Sequence, residues 1–132
     1  MVGQKVKIED IEQIRSLVDS FYDKVKTDPI LAPIFEQRIK GDWGKHLDKM
    51  YRFWQTVLLE EHTYYGSPFT PHASMPVNEQ HFERWLELFN ATVKEKFTGD
   101  KAKEAIWRAE KMAMMFQAKI KYYRENEIYP LK

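Results

Sequence analysis

The sequence predicts an all-α domain, and three observations carry that prediction. Four segments place apolar residues at helical spacing. No segment alternates apolar and polar residues for long enough to make a useful strand. One connection, residues 60–77, is long, proline-rich and aperiodic, whereas an antiparallel bundle needs only short loops. Together with helices of unequal length, that connection predicts crossed packing around something rather than a plain bundle.

The first helix is expected from about Glu9 to Lys26, because Ile14, Leu17, Val18, Phe21, Tyr22 and Val25 recur at three- and four-residue steps. Asp28-Pro29 ends it, since the residue before a proline is pushed out of the helical region. A short stretch from Pro29 to Phe35 follows, read as apolar residues turned inward without a helical period. The second helix is expected from about Asp42 to Leu59. There Trp43, His46, Leu47, Met50, Phe53, Trp54 and Val57 fall in a stripe roughly 120° wide at about 100° per residue. The 60–77 connection then carries Gly66, Pro68, Pro71 and Pro76, and aperiodic segments of this length are often functional. Asn78 is a good cap for a third helix whose Phe82, Trp85, Leu86, Phe89 and Val93 share a face. Thr98-Gly99-Asp100 breaks the pattern. The fourth helix runs from about Lys101 to Tyr123, with Ala102, Ala105, Ile106, Ala109, Ala113, Phe116 and Ile120 on one side, small enough to invite close helix contact. The whole chain, 1–132, reads as a single domain with a core of about 10–123 and a loosely ordered tail at 124–132.

Composition narrows the function. The chain has 132 residues with four Trp, seven Tyr and eight Phe, enough bulky rings to line a core or a flat ligand. It has no Cys, which excludes disulfides, zinc–thiolate sites, iron–sulfur clusters, thiol nucleophiles and covalent haem attachment. Twenty-one basic residues against 20 acidic ones, with signs interspersed, read as solvated helix faces and not as a nucleic-acid or membrane footprint. The first ten residues have no apolar signal-peptide core, and no stretch approaches the roughly 18 apolar residues of a membrane span. The expectation is a soluble, cytoplasmic protein.

The chain has four histidines, His46, His62, His72 and His81. None completes a Glu-x-x-His pair of a di-iron bundle or a His-Glu-x-x-His zinc motif. There is no glycine-rich phosphate loop and no Gly-x-Ser-x-Gly elbow. His72 lies between Pro71 and Pro76, and a restrained backbone suits either a surface loop or a metal ligand. His46 shares the apolar stripe of the second helix, where a boundary histidine with one satisfied hydrogen bond is the plain alternative to a functional one. Tyr22 sits near the edge of the first helix's apolar face, where its hydroxyl could equally reach water. Phe21 and Trp85 by themselves read as core. His62 reads as an exposed loop residue, and His81 as a cap or a partner of Glu79 or Arg84.

The order of these pieces resembles the truncated haemoglobins, in particular their third subgroup. The likeness rests on Phe21-Tyr22-Asp23-Lys24-Val25, Asp28-Pro29-Ile30-Leu31-Ala32-Pro33-Ile34-Phe35, Trp43-Gly44-Lys45-His46 and Phe53-Trp54. It continues through Tyr65-Gly66-Ser67-Pro68, His72-Ala73-Ser74-Met75-Pro76, His81 to Phe89, and Arg108-Ala109-Glu110-Lys111-Met112-Ala113. It covers about residues 10–120 and lacks the Gly-Gly turns of the other subgroups; Met75 stands where Leu is more usual.

The resemblance implies a two-over-two helical fold around a non-covalent haem b. It implies His72 as the proximal ligand of the haem iron, with Tyr22, His46 and Trp85 on the distal side. It implies a pocket formed by Phe21, Met50, Phe53, Trp54, Met75, Arg84, Phe89, Met112 and Phe116. It also implies diatomic ligands: O2, NO and CO. A ligand that takes on negative charge, as O2 does, gains about 1.5–3 kcal/mol per hydrogen bond from Tyr22 O–H or Trp85 N–H. That is about 10- to 150-fold in affinity, expressed mainly as slow release, and CO gains less. Three functions stay open. One is reversible O2 binding by a monomer. The second is haem redox chemistry, as NO dioxygenase or peroxidase-like, with a separate reductase. The third is a helical interaction module without haem.

Overall fold

The computed structural model describes residues 5–66 and 77–126. Helix α1 (Ile11–Thr27) begins where the Asp10 carboxylate accepts from the Glu12 amide and the Gln13 side chain accepts from the Asp10 amide at 2.9 Å, a reciprocal cap. Ile14, Leu17, Val18, Phe21, Tyr22 and Val25 are all buried, as their spacing predicts. The helix stops at Asp28, whose backbone is extended ahead of Pro29.

Residues 29–35 are not merely an inward-turned stretch: Ala32–Ile39 form a further helix, α2. Pro33 sits in its first turn, where the missing amide costs nothing. Asp28 Oδ2 starts the turn by accepting from the amides of Ile30 (3.0 Å) and Leu31 (2.9 Å). Lys40 and Gly41 take left-handed backbone (φ 55° and 87°) and turn the chain into α3 (Trp43–Leu59), capped by Asp42. After α3 the Thr56 hydroxyl accepts from the amides of Thr63 and Tyr64 and holds the chain back against the helix.

Helix α4 (Glu79–Lys96) starts at Asn78, as expected, and α5 (Asp100–Glu125) at Gly99. Two short strands, β1 (Val6–Lys7) and β2 (Phe97–Thr98), pair in parallel and tie the start of the chain to the α4–α5 corner. At two residues each they are too short to leave an alternating signal. Helix α1 packs on α3 and α4, and α4 packs on α5. Buried Ala102, Ala105, Ala109 and Ala113 give α5 the low face its sequence promised. No described helix is long and apolar enough to cross a membrane.

One ion pair fixes how α1 and α4 meet. Arg84 Nε donates to Asp28 Oδ1 at 2.6 Å, and the Asp28 side chain is only 2% exposed. A second tie lies farther up the same helix pair, where Lys24 donates to the Thr92 hydroxyl at 3.1 Å and to Glu95 at 2.9 Å. Burial alone would raise the Asp28 carboxyl. Hydrogen bonds from Arg84 and from the Leu31 and Ile30 amides outweigh it and hold the carboxyl below its usual range. A depressed carboxylate contributes stability that is full above about pH 4 and lost as pH falls through the folded-state value. Asp28→Ala should therefore lower unfolding free energy at pH 7 by roughly 3 kcal/mol in urea titrations. The gap between variant and wild type should shrink on acidification; a gap constant with pH would contradict the assignment.

Candidate functional site

Helices α1 to α5 enclose a cavity of about 780 Å³, within the roughly 300–1,000 Å³ usual for cofactor and small-ligand sites. Its back wall is a run of touching rings. Trp54 stacks on Phe89 at 5.0 Å, and Phe89 stacks on Trp85 at 5.4 Å and 6°. Phe21 meets Trp85 edge-on at 5.4 Å and Tyr22 at 4.8 Å, and Tyr22 meets the His46 ring edge-on at 5.0 Å. Phe35 of α2 and Trp43 of α3 close round the same tyrosine and histidine at 5.7–6.1 Å and stack on each other at 6.3 Å. Edge-to-face and offset stacking of this kind fixes ring orientation as well as burying area.

The sequence-derived candidates distribute unevenly. Phe21, Tyr22, His46, Met50, Phe53, Trp54, Trp85, Met112 and Phe116 all line the cavity, brought together from α1, α3, α4 and α5. Phe89 does not line it: 1% exposed, it stands behind the wall, sandwiched between Trp54 and Trp85. Arg84 does not line it either. Its guanidinium is turned to Asp28 and Glu87 on the outside of the α1–α4 corner, beside a separate polar cleft. His72 and Met75 lie outside the described residues.

The distal candidates have distinct environments. Tyr22 is buried at 5% exposure, not half in water, and its hydroxyl makes no hydrogen bond to any described residue. Burial pushes that hydroxyl far above the usual tyrosine range, so it keeps its proton. The Trp85 indole is half-buried and likewise has no acceptor among the described residues. His46 faces inward, among the rings of Tyr22, Phe35 and Trp43.

Some of the lining was not singled out from sequence. Phe35 and Ile34 come from α2, which had no visible period. Tyr64 joins them, half-buried and edge-on to Phe53 at 5.5 Å, and burial raises its hydroxyl pKa. His81 lines the cavity and pairs with neither Glu79 nor Arg84. Its Nδ1 accepts from the Asn78 amide at 3.0 Å, closing the cap of α4. Arg38, Lys45, Lys49 and Arg52 surround the rim with Asp42 as the acidic exception. Lys45 and Lys49 were readable in principle, being four apart and adjacent to His46 and Met50. An aromatic slot with two donors in its wall and cations at its edge fits a flat, largely apolar cofactor with anionic groups on one side. Haem has that shape and charge.

Comparison with known proteins agrees with this geometry. Residues 7–119 match the family described as Bacterial-like globin. Group 3 truncated hemoglobin ctb of Campylobacter jejuni is 34% identical over 118 residues, which span 85% of this chain and 93% of that protein. The crystal structure of a group III truncated hemoglobin from Campylobacter jejuni superposes with a TM-score of 0.81 at 32% identity, covering 89% of this chain and 95% of that one.

The back wall makes its own prediction. Phe89→Ala removes the ring between two tryptophans and should cost about 3–5 kcal/mol in urea unfolding. A loss under about 1 kcal/mol would mean that Phe89 does not support the wall.

Proposed function

The chain belongs to the bacterial-like globins, among the group III truncated haemoglobins, and on that premise we propose that it holds iron haem b non-covalently in this cavity and binds O2 reversibly and tightly. Globins bind haem and, on it, diatomic ligands. When bound, the haem supplies an iron able to take O2, NO or CO at its open position. The observation that carries the tighter reading is the pair of donors, Tyr22 O–H and Trp85 N–H, in one cavity wall with no acceptor among the described residues.

We propose His72 as the residue that would hold the haem iron. Supporting it are the resemblance and the two described residues that bracket its segment, Gly66 and Val77, which both line the cavity. Lys45, Lys49, Arg38 and Arg52 would neutralise the cofactor's carboxylates at the rim. Tyr22 and Trp85 would donate to a ligand that carries partial negative charge, and His46, packed edge-on against Tyr22, would keep the phenol oriented. The apolar rings around them exclude water, which strengthens each donor's interaction. The expected setting is a monomer in the cytoplasm.

A second reading has the same donors in its favour. A polar distal side also suits NO dioxygenation or peroxidase-like turnover, and either would need a separate reductase. Steady-state consumption of NO or peroxide with a supplied reductant distinguishes the two.

Two substitutions test the assignment. His72→Ala should abolish stoichiometric haem uptake or replace the histidine ligation seen in the absorption spectrum; unchanged proximal ligation would refute it. Tyr22→Phe should speed O2 dissociation, by stopped flow, by several-fold up to about 150-fold. An unaltered off-rate would transfer the donor role to Trp85 or His46.

A further inference from the structure

Arg84 stands outside the cavity, yet the residue after it is Trp85, one of the two donors in the cavity wall. Its Nε donates to Asp28 Oδ1 at 2.6 Å and its Nη1 to Glu87 Oε2 at 2.8 Å. Asp28 closes the end of α1, the helix that carries the other donor, Tyr22. The two donors therefore sit on two helices, and a buried carboxylate joins those helices right beside one of them. The second tie between the helices, from Lys24 to Thr92 and Glu95, lies two turns farther along α4. Its Glu95 side chain is 53% exposed, so that ion pair is weak and screened.

The contacts that the Trp85 ring itself makes are less exacting. It stacks on Phe89 at 5.4 Å and 6°, and Phe21 meets it edge-on at 5.4 Å. Such contacts set the tilt of the indole. They leave its offset loosely determined, since aromatic pairs are favourable over centroid distances of about 4.5–7 Å. A charge-assisted hydrogen bond is short and directional. Arg84 and Trp85 are about 100° apart round the helix axis, so holding one at a given azimuth holds the other. Phe21, buried and wedged between Trp85 and Tyr22, leaves no void to absorb a shift of α4.

We infer that Arg84 and Asp28 are positioning residues of the ligand site. Through the α1–α4 corner they set where Trp85 N–H stands relative to Tyr22 O–H, and so how firmly a ligand in the cavity is held. The inference rests on the haem reading above and deepens it. A hydrogen bond weakens steeply once its angle falls below about 120°. A small turn of α4 therefore costs the ligand a bond without emptying the cavity.

The test uses haem-loaded ferrous protein, with CO and O2 as probes. Arg84→Met keeps most of the side-chain stem and removes the guanidinium. It should raise the C–O stretching frequency of the CO probe, because a weaker donor then faces it. It should also speed O2 dissociation, by stopped flow, by roughly three- to tenfold. Arg84→Lys should recover most of both changes. In the Trp85→Phe background Arg84→Met should alter neither readout, because the residue it acts through is gone. Urea unfolding of the same proteins measures stability separately. A merely structural role would lower stability in both backgrounds and leave the C–O stretch unmoved. If Arg84→Met does not fold, Asp28→Asn makes the same comparison, since it keeps an acceptor for the Ile30 and Leu31 amides and weakens the tie to Arg84. An unshifted stretch with an unaltered off-rate, or equal changes in both backgrounds, would overturn the proposal and leave the haem assignment standing. A wild-type chain that takes up no haem overturns both readings, and its absorption spectrum shows that before any kinetics.

Discussion

The Asp28 carboxylate is the point on which the arrangement depends. A buried charge is costly, and it survives only when hydrogen bonds and an opposite charge compensate it. Here the two oxygens divide the work. One receives the Ile30 and Leu31 amides and so bends the chain from α1 into α2; the other receives Arg84 and so draws in α4. The net lowering of the carboxyl's pKa shows that these donors outweigh desolvation. Tyr22 lies six residues before this corner and Trp85 one residue after its arginine. Closing the corner therefore brings both donors to the same cavity.

The aromatic wall turns that placement into orientation. Packed rings have few alternative positions, since interiors are close to crystal density. Phe89 is held flat between Trp54 and Trp85, and Phe21 is wedged edge-on between Trp85 and Tyr22. The donor groups are thus oriented by Phe89, which does not line the cavity, and by Phe21 and Trp54, which do. This places much of the site's specification in residues that read as ordinary core.

That division explains what the sequence disclosed. The α1 stripe, the Asp28-Pro29 stop, the Asn78 cap and the alanine face of α5 follow from periodicity and local sterics, and all are present. Helix α2 did not register, because eight residues give too little period and its start depends on a side chain outside it. Phe89 and Trp85 share a face at i and i+4, and period alone cannot say which stands in front. Arg84 was placed in the pocket by the resemblance alone, whereas it sits one residue, about 100° of helix, from Trp85 and turns to Asp28. His81 was open to two readings, a cap or a partner of Glu79 or Arg84, and the cap is the one that forms, its ring accepting from the Asn78 amide. The resemblance supplied the roles of Tyr22 and Trp85, which composition could not distinguish from packing.

Burial of Tyr22 has a chemical consequence beyond position. A phenol near its ordinary pKa of about 10 retains some access to the anion, and tyrosinate can itself ligate haem iron. Desolvation raises the Tyr22 hydroxyl well above that range, so the group remains a donor and is withheld from competing as a ligand. Among the described residues that O–H has no acceptor, and Tyr22 lines the cavity, so a ligand held there could take the bond, one that carries negative charge gaining more from it than one with little charge. On the proposed haem reading, the same desolvation that keeps the proton on Tyr22 would let its O–H discriminate among ligands of nearly equal size.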